Sequence, residues 1–333
     1  MSVYELAVQM INTPSLSGQE GPMADFLQAY LEPKGWVVER QTFSPGRDNI
    51  FAYRHNRYPR LLFNSHIDTV PPYFPARREG DWLYGRGACD TKSLIAAQLL
   101  AAQDLIDQGF EDVGLLYVVG EEVDHCGMIK ANALGLNPEV MIVGEPTESK
   151  LASRQKGILK LRLSASGIAA HSGYPHTGKS AIDPLIDVLY DLRHHTWPAA
   201  PDLGATTLNI GLLGGGKAAN VIPDSAFAEV MIRVVTSHHD ILKQVEKLVA
   251  NRVEFKVVAA NDPTDLAQHE HFESCVVAFN TDIPYFRFDG KAFLYGPGSI
   301  LDAHTAGEKI RIQDLEKAVH TYAELARLTL GLA

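Results

Sequence analysis

The chain has little of several things that would place it elsewhere. Its three cysteines, Cys89, Cys126 and Cys275, cannot all pair and show no Cys-x-x-Cys spacing, which speaks against a disulfide framework. No apolar run approaches the length of a membrane span. Positive charge is not in surplus: the formal net charge is −10, so no overall basic surface exists to hold nucleic acid or an anionic membrane. The opening MSVYELAVQM lacks the basic and long apolar regions of a signal peptide, and with free thiols the expectation is a cytoplasmic protein. Internal repeats and low-complexity tracts are missing as well. What remains is ordinary globular composition, 46% hydrophobic and 21% charged, in a chain of 333 residues, long enough for two domains.

The informative stretch is Leu61–Val70, LLFNSHIDTV. Its apolar start predicts a buried strand, which delivers His66 and Asp68 two positions apart and so on one face. A ligating imidazole usually gives its other N–H to a carboxylate, so His-x-Asp suits a metal ligand with its orienting partner. Alone, the tripeptide reads better as a surface His beside a turn Asp. Three later stretches change that. Gly85 and Gly87 permit a tight backbone just before Asp90, at the start of a helix predicted over Ser93–Gln108. The apolar strand Val113–Val119 runs into Gly120-Glu121-Glu122. The short strand Val140–Val143 runs into Gly144-Glu145. In open α/β sheets, sites gather beyond the carboxyl ends of the strands.

Elsewhere the pattern predicts helices over Val3–Met10 and Met23–Leu31, the second with a Ser17/Glu20 capping box. Strands are predicted at Trp36–Thr42, Asn49–Arg54, Phe272–Asn280 and Lys291–Leu294, and a closing amphipathic helix at Ile312–Leu330. Between Gly157 and Val258 the texture changes to strand, helix, strand, strand, helix, strand, the order of a ferredoxin-like unit. It reads as an insertion, because the strand-then-ligand style resumes in the glycine-rich loop Tyr295–His304. The triplet Gly214–Gly216 has no helix directly behind it and reads as a turn. His66, Asp68, Asp90, Glu121, Glu122, Glu145 and His304 together make a cluster too acidic to stand without cations. Two divalent ions would balance it, as in two-metal hydrolytic sites.

The stretches SHIDTVP, YGRGACDTK, VVGEEVD, VGEPT, AHSGYPHTGKSAI, ANVIPDSA with the later Arg233, and GPGSILDAHTAGE run in order over nearly the whole chain. In these it resembles the di-zinc metallopeptidase family of acetylornithine deacetylase, succinyl-diaminopimelate desuccinylase, aminoacylase and carboxypeptidase G. The resemblance implies a mixed-sheet, aminopeptidase-like α/β catalytic domain over residues 1–154 and 262–333. It also implies an inserted ferredoxin-like α+β lid and dimerisation domain over 155–261. Asp90 would bridge two metal ions, zinc first and cobalt or manganese otherwise. His66 and Glu145 would complete one site, Glu122 and His304 the other. Glu121 would be the general base toward a metal-bridging hydroxide, Asp68 would orient His66, and His171 would stabilise the oxyanion across a homodimer. Asn220, Arg233, Gly296 and Gly298 would hold the substrate.

The chain departs from the family at Thr91-Lys92-Ser93, where Met-Lys-Gly is frequent, and at Ala306-Gly307-Glu308, where Asp often precedes the Glu. It is also short between Val258 and Tyr295. The tract GEPTESKLASRQKG resembles the deacetylase branch, so the expected substrate is a small N-acyl amino acid such as N-acetylornithine. Dipeptidase, carboxypeptidase or desuccinylase activity on the same site are the alternatives, although a net acidic protein attracts a dianionic succinyl substrate poorly. A catalytically silent amino-acid binder should have lost Glu121 or a ligand, and none is missing. His125-Cys126 follows the glutamates closely, and the sequence leaves open whether either approaches the site.

Overall fold

A computed structural model describes residues 1–332. The chain forms two compact units, Met1–Ser153 with Leu266–Cys275 and Thr281–Ala333, and Arg154–Asp265 with Val276–Asn280.

The first unit is built on a six-stranded mixed sheet, in the order Val37–Ser44, Arg47–Tyr53, Val113–Val118, Leu61–His66, Val140–Gly144, Lys291–Tyr295. The first three strands pair antiparallel. The last four run parallel to one another. Inner strands of such a parallel block are covered on both faces, which is why Val113–Val118 and Val140–Gly144 read as apolar runs without a charged residue. Every residue of Leu61–His66 and Val113–Val118 is buried. The register sets His66 opposite Val118 and Asn64 opposite Val143. Glu145 and the Glu121-Glu122 pair therefore emerge at the same edge as His66. Behind the sheet, helix Lys92–Asp107 buries twelve of its sixteen residues and packs against helices Val3–Ile11 and Ile312–Leu330. The last ends on Gly331, whose φ of +64° suits glycine and whose N–H donates to Arg327 and Leu328 carbonyls.

Two sequence expectations are corrected here. Ser17 and Glu20 form no capping box. Helix Gly21–Leu31 starts directly after Glu20 without a side-chain cap, and the buried Glu20 carboxylate takes two hydrogen bonds from Arg47, at 2.9 and 2.7 Å. The true box is at Ser2 and Glu5, whose side chains and backbone N–H groups bond reciprocally. The strand expected over Phe272–Asn280 shrinks to Ser274–Val277.

The second unit is a four-stranded antiparallel sheet, ordered Thr207–Gly215, Ser225–Val234, Gly157–Ser166, Glu254–Asn261. Its helices are Ile182–His194 and His238–Val249, giving the ferredoxin-like connectivity. Burial alternates strictly along Ala226–Val234, as expected of a sheet with one covered face. Leu161, Leu163, Val230, Ile232, Leu185 and Val245 are at its core. Gly216 has a φ of +74° and makes the turn after Thr207–Gly215. Among the described residues no helix is long and apolar enough to cross a membrane.

Candidate metal centre

The parallel strands converge on one carboxylate. Asp90 Oδ1 lies 3.0 Å from His66 Nε2, and its Oδ2 lies 3.2 Å from His304 Nε2. Each imidazole meets a second carboxylate: His66 Nε2 is 3.5 Å from Glu145 Oε1, and His304 Nε2 is 2.9 Å from Glu122 Oε2. Two half-sites thus share Asp90, one with His66 and Glu145, the other with His304 and Glu122. Donor atoms of His66, Asp90 and Glu122 all lie within 4.8 Å of one another.

Local structure explains the convergence. The loop before Asp90 is threaded by glycines: Gly85 has a φ of +152°, and a Cβ there would fall 2.4 Å from Ile11 Cγ2. Glu308, fully buried, holds that loop from across the chain. Its Oε1 accepts the N–H groups of Gly87, Cys89 and Asp90 at 2.9, 3.2 and 3.2 Å, and its Oε2 pairs with Arg86 Nη1 at 2.5 Å. The Asp90–Thr91 peptide is cis. Thr91 Oγ1 donates to the His66 carbonyl at 2.9 Å. Asp68 is fully buried and binds three neighbours. Its Oδ1 accepts the Glu121 N–H at 3.1 Å, and its Oδ2 accepts the Ser17 hydroxyl at 2.8 Å and the Glu122 N–H at 3.4 Å. His66 Nδ1–H finds its nearest acceptor in the Asp68 carbonyl, at 2.9 Å; the Asp68 carboxylate is 3.5 Å away. Asp68 therefore steadies both the ring and the turn that carries the two glutamates.

The electrostatics show what the cluster requires. Burial pushes Glu121 up to about 8, helped by Asp282 and Glu122 and resisted by His125 and His66. Burial and the Asp90 charge push Glu122 up to about 7. Glu145 is driven well above the carboxylate range by burial and then by the charges of Asp90, Glu121 and Glu122. Asp90 goes the other way: burial opposes ionisation, but hydrogen bonds to His304 and His66 overcome it. His304 is raised to about 10 by its hydrogen bonds to Asp90 and Glu122. The raised carboxylates reflect a site dense in buried like charge, which divalent cations would offset. A mixed imidazole and carboxylate donor set fits zinc and similar divalent ions, and three protein ligands per ion leave a position open for substrate.

Gly296 lies beside Glu145 and Gly298 beside Cys89, but both use their backbone groups within the fold. The Gly296 carbonyl accepts the Thr147 and Ser149 N–H groups, each at 3.0 Å, and the Gly298 carbonyl accepts that of Glu148 at 2.9 Å. His171, Asn220 and Arg233 belong to the second unit. His171 is exposed, its Nδ1 accepting the Gly173 N–H at 3.0 Å. Asn220 is brought beside it, its carbonyl accepting the Ser172 N–H at 3.0 Å. Arg233 sits on strand Ser225–Val234, opposite Ile158 and Thr207. Lys156 is pulled down from its ordinary value by burial and then by the Arg233 charge.

The sequence assigns no site role to Glu308, Ser17 or Asp282, and leaves His125 open. The structure sets His125 Nδ1 3.8 Å from Glu121 Oε1. Cys126 is buried, with its sulfur 3.7 Å from Arg47 Nη2.

A family model described as a peptidase dimerisation domain matches residues 153–259. A peptidase M20 domain-containing protein of Schizosaccharomyces pombe is 39% identical, over 99% of this chain and 85% of its own length. A probable carboxypeptidase of Aspergillus clavatus is 35% identical, over 97% of this chain and 87% of its own. Among solved structures, an M20 family metallo-carboxypeptidase from Sulfolobus solfataricus superposes with a TM-score of 0.78 at 18% identity, over 100% of both chains. That last likeness is one of fold.

Proposed function

Because the chain belongs to the M20 peptidase family, we propose that it is a two-metal amide hydrolase whose substrates carry a free carboxylate on the departing amine. The observation that carries this is Asp90, set between two imidazoles that each have a glutamate of their own. His66, Asp90 and Glu145 would hold one ion, and His304, Asp90 and Glu122 the other, with zinc the first choice and cobalt the second. Such ions polarise a substrate carbonyl and lower the pKa of water toward about 7. Glu121 then accepts a proton from the attacking water and returns it to the amine nitrogen as the C–N bond breaks. Asp68 keeps Glu121 in place through its backbone N–H.

A C-terminal amino acid of a short peptide and an N-acylated amino acid present the same group, an amide followed by a carboxylate. Carboxypeptidase action is placed first, on the 35% identity to a probable carboxypeptidase. Deacetylation of N-acetylornithine or a close relative is the second reading, resting on the tract Gly144–Gly157. The second unit would pair with its twin, in keeping with the dimerisation model it matches.

The test is a hydrolysis panel of dipeptides, tripeptides and N-acetyl, N-succinyl and N-formyl amino acids, each as free acid and as amide, with zinc- or cobalt-loaded protein. Cleavage of free acids well above amides is expected; equal rates on both would refute the carboxylate requirement. Arg233→Ala should narrow the preference. A hydrogen bond to a charged group contributes about 1.5–3 kcal/mol, so the acid-to-amide ratio of kcat/KM should fall about ten- to a hundredfold. An unchanged ratio would remove Arg233 from substrate recognition.

A further inference from the structure

Glu121 and Glu122 are adjacent and face the same cluster of charge, yet only Glu122 meets a metal-binding imidazole. Carboxylates beside divalent ions are drawn to bind them, so something must keep Glu121 apart. The turn that follows supplies it. The Gly120 carbonyl accepts the N–H groups of Asp124 and His125 at 3.1 and 2.8 Å, and His125 itself adopts φ 57° and ψ 23°. For a residue with a side chain this left-handed conformation costs roughly 1–2 kcal/mol, and such strain is held where the surroundings require it. Here it turns the imidazole inward, leaving His125 6% exposed. Nδ1–H donates to Asp282 Oδ1 at 2.9 Å, on the side where Glu121 Oε1 stands 3.8 Å away. The ring stacks on Tyr285 with centroids 4.1 Å apart and planes within 16°. Asp282 is also buried, at 2% exposure. The trio Glu121, His125 and Asp282 forms a group of donor atoms separate from that of His66, Asp90 and Glu122.

We propose that His125, anchored by Asp282 and Tyr285, is a positioning residue that holds the Glu121 carboxylate off the metal ions and free for proton transfer. The inference rests on the reading of Glu121 as the base. It explains how two neighbouring glutamates take different roles: Glu122 is within hydrogen-bond reach of His304, while Glu121 stands within electrostatic reach of His125.

The variants are His125→Ala and Asp282→Asn, the second keeping size and an acceptor oxygen while removing the charge. With the panel substrate that the wild type cleaves fastest, each should lower kcat about 10- to 100-fold, as loss of an outer partner does, with KM little changed and two metal ions per chain retained. In a Glu121→Gln background the same changes should cost less than about twofold, because partners of one group are not additive. Equal losses in both backgrounds would mean that His125 merely supports the fold, and the inference would fall. So would a third metal equivalent in the wild type that His125→Ala removes, since the trio would then be a binding site. A readout independent of turnover is the visible spectrum of cobalt-loaded protein. It should shift in His125→Ala as the freed Glu121 joins the ions, and return in His125→Ala/Glu121→Gln. An unshifted spectrum would overturn the proposal even if no panel substrate is cleaved, whereas absence of wild-type turnover would count against the hydrolase reading alone.

Discussion

Glu121→Gln should lower kcat by about 10²–10⁴-fold, the range that a positioned general base contributes, while each chain still takes up two metal ions. Glutamine keeps the shape of the side chain and removes only its ability to accept the proton. The backbone N–H of residue 121 still reaches Asp68, at 3.1 Å in the native protein, so the turn should survive. Its neighbour behaves differently. Glu122 Oε2 faces His304 Nε2 at 2.9 Å, and Glu122→Gln should weaken metal uptake first and activity as a consequence. Metal content measured beside kcat separates the two roles. Equal loss of metal from both variants would show that Glu121 is a ligand and that another group moves the proton.

The second large effect concerns the unit that holds none of the proposed ligands. His171→Ala should cost about 100- to 1,000-fold in kcat, the usual consequence of removing one donor to a developing oxyanion. His171 is exposed, and its Nδ1 already accepts the Gly173 N–H, which leaves Nε2 as the donor. If it serves the site of a dimeric partner, two inactive variants can restore each other. In a mixture of His171→Ala and Glu121→Gln chains that exchange freely, half the dimers are mixed. Each mixed dimer contains one site with an intact Glu121 and an intact partner His171. Activity should recover to about a quarter of wild type, given two equivalent sites per dimer. Demonstrated exchange with no recovery would place His171 in its own chain's site or in none.

These predictions draw on residues whose legibility in the sequence differed for physical reasons. Val113–Val118 and Val140–Gly144 were readable because burial on both faces leaves apolar runs, Leu61–His66 and Lys291–Tyr295 by shorter apolar stretches, and the polar cargo comes at each strand's end: His66, Glu121-Glu122, Glu145, and the Gly296 loop that ends at His304. Gly157–Ser166 was readable by alternation, and Ile312–Leu330 by its helical period. Glu308 was not. It ends the matched stretch GPGSILDAHTAGE, but its role in holding the Asp90 loop shows only where it meets Arg86, 222 positions away. Glu20 had the spacing of a capping residue, but the partly buried Arg47 won the competition. His125 was uncertain for the same reason, since Asp282, its anchor, lies 157 positions further on. Local patterns predict elements and strand ends well. They say little about which distant charge will steady a site residue: Glu308 and Asp282 are of that kind, whereas Asp68, two positions from His66, was legible.

The central claim is that Asp90 and the four residues around it make a site for two metal ions on which hydrolysis depends. The most direct test strips the protein with a chelator and then adds zinc or cobalt in measured steps, following bound metal and hydrolysis of the best panel substrate together. The account predicts an inactive metal-free protein, binding that saturates at two ions per chain, and activity restored as those sites fill. Full activity in rigorously metal-free protein, or saturation without the second ion, would contradict it.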